Sequence, residues 1–160
     1  MKKLFLLLAT LMASTVASPA FADNTATGDV YANVPSTCEI LSIDPVTANF
    51  GLNVTQTSAS GNIQIVCNKD AGYSLTAPTV DGSGNFNISA ISGTAGATMQ
   101  VQLRESTTGS AWTSSDIVGG TGTGQVQFYP FQLVFNPTGS AIPAYGSYAG
   151  SFDVTLTATL

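Results

Sequence analysis

Past residue 22 the apolar residues of this chain recur at every second position, and nothing there reads convincingly as a helix. In "NIQIVC" Ile63, Ile65 and Cys67 share one face, and in "YSLTA" Tyr73, Leu75 and Ala77 do the same. "MQVQLRE" sets Met99, Val101 and Leu103 against Gln100, Gln102 and Arg104. A period of two is the period of a strand with one dry face. The segments are short and separated by Gly, Pro, Asn and Asp, which points to an all-β sandwich or barrel of seven or eight strands. Further candidates are Cys38 to Ile43, the extended piece Val46 to Val54 with a kink at Gly51, and "FNISAI" after the turn "DGSGN". "GGTGTG" at 119–124 reads as a flexible loop. In "VQFYPFQLVF" Val126 and Phe128 share a parity that Phe131, Leu133 and Phe135 do not, so Pro130 is expected to mark a bulge or a change of sheet.

The two ends of the chain carry most of the functional signal. Lys2 and Lys3, an apolar run and "SPAFA" form a secretory signal peptide over 1–22, too short in its apolar part to span a bilayer. Export follows, and 138 residues remain, enough for one domain with a core. The terminal "SYAGSFDVTLTATL" alternates throughout, with Tyr148, Phe152, Val154, Leu156, Ala158 and Leu160 on one parity, and the sequence stops on that strand. At the other end Ala26, Gly28, Val30, Ala32 and Val34 alternate with Thr27, Asp29, Tyr31 and Asn33. If the domain is an immunoglobulin-like sandwich, it lacks its last strand, and the slot beside the terminal one exposes unpaired backbone. The tail has the missing strand's pattern. It runs into the Cys38 strand with only Pro35 to Thr37 between, whereas a parallel neighbour needs a connection of about a dozen residues. The tail is therefore expected to fill another copy's slot, a head-to-tail contact that propagates as a fibre.

Composition narrows the chemistry. After cleavage only Lys69 and Arg104 oppose nine acidic residues, which argues against nucleic acid and anionic lipid as partners. Cys38 and Cys67 are the only cysteines, and in an exported chain an even pair implies a disulfide. The alternative, a two-cysteine metal site, finds no histidine anywhere and no carboxylate cluster nearby. Without His or a free thiol, most nucleophile–base pairs cannot be built, so no catalytic residue, metal or cofactor is expected. Paired carboxylates remain open, but Asp44, Asp81, Glu105, Asp116 and Asp153 fall at turns or outward positions. "DGSGN" as a calcium turn lacks ligands. Trp112 reads either as a packing residue or as a sugar-stacking platform. A secreted self-complemented coat or matrix protein, or a sugar-binding adhesin, is the alternative to the fibre; a small hydrolase is the weakest reading.

Taken in order, "TGDVYANV", "TCEI", "ANFG", "GNIQIVC", "AGYSL", the isolated Trp112 and the terminal "GSYAGSFDVTLTATL" resemble subunits of chaperone–usher pili. The likeness is nearest to the archaic class, which shares the spore coat protein U domain. The resemblance implies a donor-strand extension over 23–35 and a pilin domain over 36–160. Ala26, Gly28, Val30, Ala32 and Val34 would plug successive pockets of the preceding subunit, Gly28 facing a shallow one. Tyr148, Phe152, Val154, Leu156 and Ala158 would line the acceptor groove, with Ile40 opposite. A periplasmic chaperone anchored on the Leu160 carboxylate would hold the groove until an outer-membrane usher exchanged it. The product would be a surface pilus supporting adhesion and biofilm formation. Where the family often ends in Tyr this chain has Leu160, and Gly82 to Gly96 has no counterpart in the resemblance.

Overall fold

The computed structural model describes residues 29–159, so the signal peptide, Ala26, Gly28 and Leu160 lie outside the described residues. The chain divides into two compact units, one ending at Asn33 and one beginning at Val34. In the first, Asp29 to Asn33 carry no regular secondary structure, and Val30 and Tyr31 are exposed.

The second unit contains β1 (Cys38–Ile43), β2 (Thr57–Cys67), β3 (Gly72–Thr76), β4 (Asn85–Gly93), β5 (Thr98–Glu105), β6 (Val118–Thr121), β7 (Val126–Phe135), β8 (Gly146–Ala149) and β9 (Thr155–Thr159). Every pairing is antiparallel, in a six-stranded sheet ordered β1-β2-β7-β5-β4-β8 and a three-stranded sheet ordered β6-β3-β9. No helix occurs among the described residues. The fold is an all-β, immunoglobulin-like sandwich. Its core lies where the inward parities meet. Ile63, Ile65, Val101, Leu103 and Phe131 from the large sheet pack with Tyr73 and Leu75 from the small one. The disulfide joins Cys38 to Cys67, the first pair of the β1–β2 ladder.

Several sequence expectations need correction. The terminal segment is not one strand: β8 pairs with β4 in the large sheet and β9 with β3 in the small one, and Gly150 to Val154 cross between them. Phe152 anchors the crossing, its ring 5.6 Å from Phe86 and 5.5 Å from Phe131. The switch expected at Pro130 is absent, because β7 keeps one unbroken register with β2 from Val126 to Phe135. Tyr129, Phe131, Leu133 and Phe135 face the core, while Phe128 is 60% exposed on the outer face. Pro130 is tolerated because its carbonyl accepts from Ser106 N–H just past the end of β5. Its missing donor points the same way and breaks no ladder bond.

Register shifts lie instead in β1, between Ile40 and Ser42, where both Ile40 and Ile43 turn inward, and in β4, between Ala90 and Ser92. The glycine-rich stretch at 119–124 is also ordered by contacts. Its first part lies in β6, and Gly122 exchanges backbone bonds with Ala71 (2.7 Å) and Asp70 (2.8 Å). Gly82 to Gly96 supplies the turn into β4 and the whole of that strand.

Candidate functional site

The stretch Val46 to Phe50, beyond β1, has the burial rhythm of a strand. Val46, Ala48 and Phe50 are half-buried, and Thr47 and Asn49 are exposed. It belongs to no strand. The chain leaves the sheet at Asp44, whose N–H donates to Asn62 O and whose carboxylate accepts from Asn62 N–H (2.9 Å) and Nδ2 (3.1 Å). Pro45 follows with no donor at all. The crossing between β8 and β9 has the same character. Phe152 and Val154 turn inward, Ser151 and Asp153 outward, and the segment is in no ladder. Asp153 N–H is satisfied by the Thr79 hydroxyl at 2.7 Å.

The two segments adjoin at their ends along an open slot, with Gly150–Phe152 opposite Ile43–Val46 and Val46–Phe50 opposite Ile142–Tyr148. Near its middle is a cleft of about 390 Å³, walled by Ile43–Val46 on one side and Tyr148–Phe152 on the other. It opens into a wider cleft of about 770 Å³ between Val46–Asn53 and Ile142–Tyr148. The floor is the large sheet's inner face: Ile88, Met99, Val101, Leu133 and Phe135. Residue numbers rise along one wall as they fall along the other, so the walls run antiparallel. A strand laid between them would run parallel to one and antiparallel to the other. Asp44 is the one carboxylate in the lining, and its Oδ2 is already engaged by Asn62. The slot therefore offers mainly apolar surface and backbone groups, and its one charge is the Asp44 carboxylate held by Asn62.

The wide end is rigidly built. Asn136, held at a left-handed φ of 53°, donates from Nδ2 to Thr55 O (2.6 Å) and Ala141 O (2.8 Å). Thr94 donates to Tyr145 O from both its amide and its hydroxyl. This framework presents Leu52 and Tyr145 at the rim, 93% and 87% exposed.

Of the groove residues expected from sequence, Tyr148 lines both clefts and Phe152 the narrower one. Ile40, Val154 and Leu156 are half-buried against the core, and Ala158 is exposed. Sequence reasoning missed the opposite wall, although the alternation of Val46, Ala48 and Phe50 signals it. It also missed the floor.

The candidates for chemistry resolve locally. No group of three His, Cys, Asp or Glu positioned to hold a metal occurs among the described residues. Asp81 caps its own turn, accepting at Oδ1 from the amides of Ser83 and Asn85, both at 2.8 Å. Those two bonds, the Asn85 amide first, hold its carboxyl below the ordinary range. Tyr129 is shifted the other way, pushed up first by burial and then by its bond to the Tyr73 hydroxyl. It sits at a joint between the two sheets. Trp112 is only 3% exposed and offers no face to a sugar, which corrects the stacking role considered for it.

No protein-family model and no curated protein matches the chain. Among solved structures it is similar to a chain from a chaperone–usher pilus, from work on the basis of rod uncoiling. The two are 14% identical, with a TM-score of 0.49, over 89% of this chain and all of that one.

Proposed function

We propose that the chain is a structural subunit of an extracellular fibre, which polymerises when the tail of one copy occupies the slot of the next. The observation that carries this reading is the open slot between Ile43–Asn53 and Ile142–Phe152, whose floor is apolar. A single inserted strand would supply both missing ladders and cover the floor. The tail suits that role. Nine residues from Ala26 to Val34 extend about 30 Å, and one face presents only Ala, Gly and Val side chains. Each valine fully covered contributes roughly 1.5–3 kcal/mol. A central strand leaves only when the sandwich opens, so dissociation is slow.

On this reading a periplasmic chaperone occupies the slot first, contacting the terminal carboxylate, and an outer-membrane usher exchanges it for the next subunit's tail. The fibre so formed is a surface pilus of the archaic class, serving adhesion and biofilm formation. The work at the slot is binding, without a catalytic step.

The test compares the mature protein with a form lacking Asp23 to Val34, both refolded with the disulfide intact. The full chain should give detergent-resistant ladders on unboiled gels. The truncated form should give none, and a peptide of Ala26 to Val34 should stabilise it. Two equally stable monomers would overturn the proposal and favour a secreted sandwich that needs no partner.

A further inference from the structure

The slot is not open along its whole length. Below the two clefts, β1 and β9 approach each other directly, and Ser36 Oγ donates to Thr159 O at 3.1 Å. Ser36 is aimed by its neighbours. Asn68 Nδ2 donates to Pro35 O (2.7 Å) and to Thr37 Oγ1 (3.0 Å), and Asn68 N–H donates to Thr37 O. The segment preceding β1 is thereby fixed to the β2–β3 link. Thr159, the last residue of β9, pairs with Gly72 at the start of β3. The junction thus ties the segment before β1 to the end of β9, where both walls of the slot end.

We infer that Ser36 is a latch that holds the β1–β9 end of the slot shut in the free subunit. The inference rests on the proposed strand exchange. A guest strand enters at the wide end, between Val46–Asn53 and Ile142–Tyr148, where no bond crosses the slot among the described residues. It can advance to pair along β1 and β9 only after the Ser36–Thr159 bond breaks. Until then the latch limits exposure of Ile40 and Leu156, which are half-buried, and so limits premature association along those edges.

The test uses the full mature chain, dilute and monomeric, as wild type, Ser36→Ala and Ser36→Thr. Hydrogen exchange of the β1 and β9 amides reads the latch without any partner. Association of a fluorescent peptide of Ala26 to Val34 reads its effect on strand entry. Ser36→Ala should speed both by roughly 2- to 10-fold, the factor one hydrogen bond supplies, and Ser36→Thr should match the wild type. Unchanged exchange in Ser36→Ala would overturn the latch, as would peptide that binds Ser36→Ala and wild type at the same rate. If exchange accelerates while no variant binds the peptide, the latch stands and strand exchange fails.

Discussion

Gly61 sits at one of the tightest points in the core. It lies on the inward parity of β2, and a Cβ placed there would meet the Phe131 ring at 2.8 Å and Val46 Cγ2 at 3.0 Å. Phe131 is fully buried and has nowhere to retreat. Gly61→Val should therefore destabilise the fold by about 1–3 kcal/mol, the usual cost of overpacking, read as a lowered urea midpoint at unchanged slope. Asp81 makes a different residue-scale prediction. Its carboxyl is depressed by the amides of Asn85 and Ser83, so its contribution is fully present above the ordinary value of 3.8. That contribution is lost as pH falls through the lower folded value. Asp81→Asn should be less stable than wild type near neutrality, and the gap should close on acidification below pH 3.8, as followed by thermal melts across pH.

Among the elements, β7 shows how far the sequence could be read. Parity placed Phe131 and Leu133 in the core correctly, because both neighbouring strands bury that face. It also set Val126 and Phe128 on the opposite face, where they lie exposed; what failed was the inference that the proline between the two groups marks a break. The ladder with β2 runs through Pro130 regardless. Phe131→Ala should cost about 3–5 kcal/mol, whereas Phe128→Thr should change stability by less than about 0.5 kcal/mol, both measured by denaturant unfolding. The disulfide was legible from cysteine count and compartment, and it closes a separation of 29 residues. Its reduction should cost roughly 3–4 kcal/mol on the chain-entropy model. Half of the slot was legible: Tyr148 and Phe152 announce themselves by alternation in the terminal segment. The opposite wall was not, because the bulge at Leu41 and the turn-out at Asp44–Pro45 shift the parity twice within a few residues. A local pattern cannot reveal that two segments a hundred residues apart in sequence face each other.

At the scale of the whole molecule, the slot makes stability a function of what occupies it. A guest that binds only the folded chain adds RT ln(1 + [L]/Kd), about 2.7 kcal/mol when it is present at a hundred times its dissociation constant. The peptide Ala26 to Val34 should therefore raise the melting temperature of the tail-less protein in proportion to the logarithm of its concentration. Register makes this a sharper test than binding alone, because shifting a strand by one residue exchanges its two faces. With Val30 inward, Val30→Asp would place a carboxylate against the apolar lining of the slot, which offers no cation. That peptide should give no stabilisation, while Asp29→Ala, altering the outward face, should match the parent. If the two altered peptides stabilised equally, the slot would be reading hydrophobic content and not a strand register, and a fibre built by strand insertion would lose its specificity.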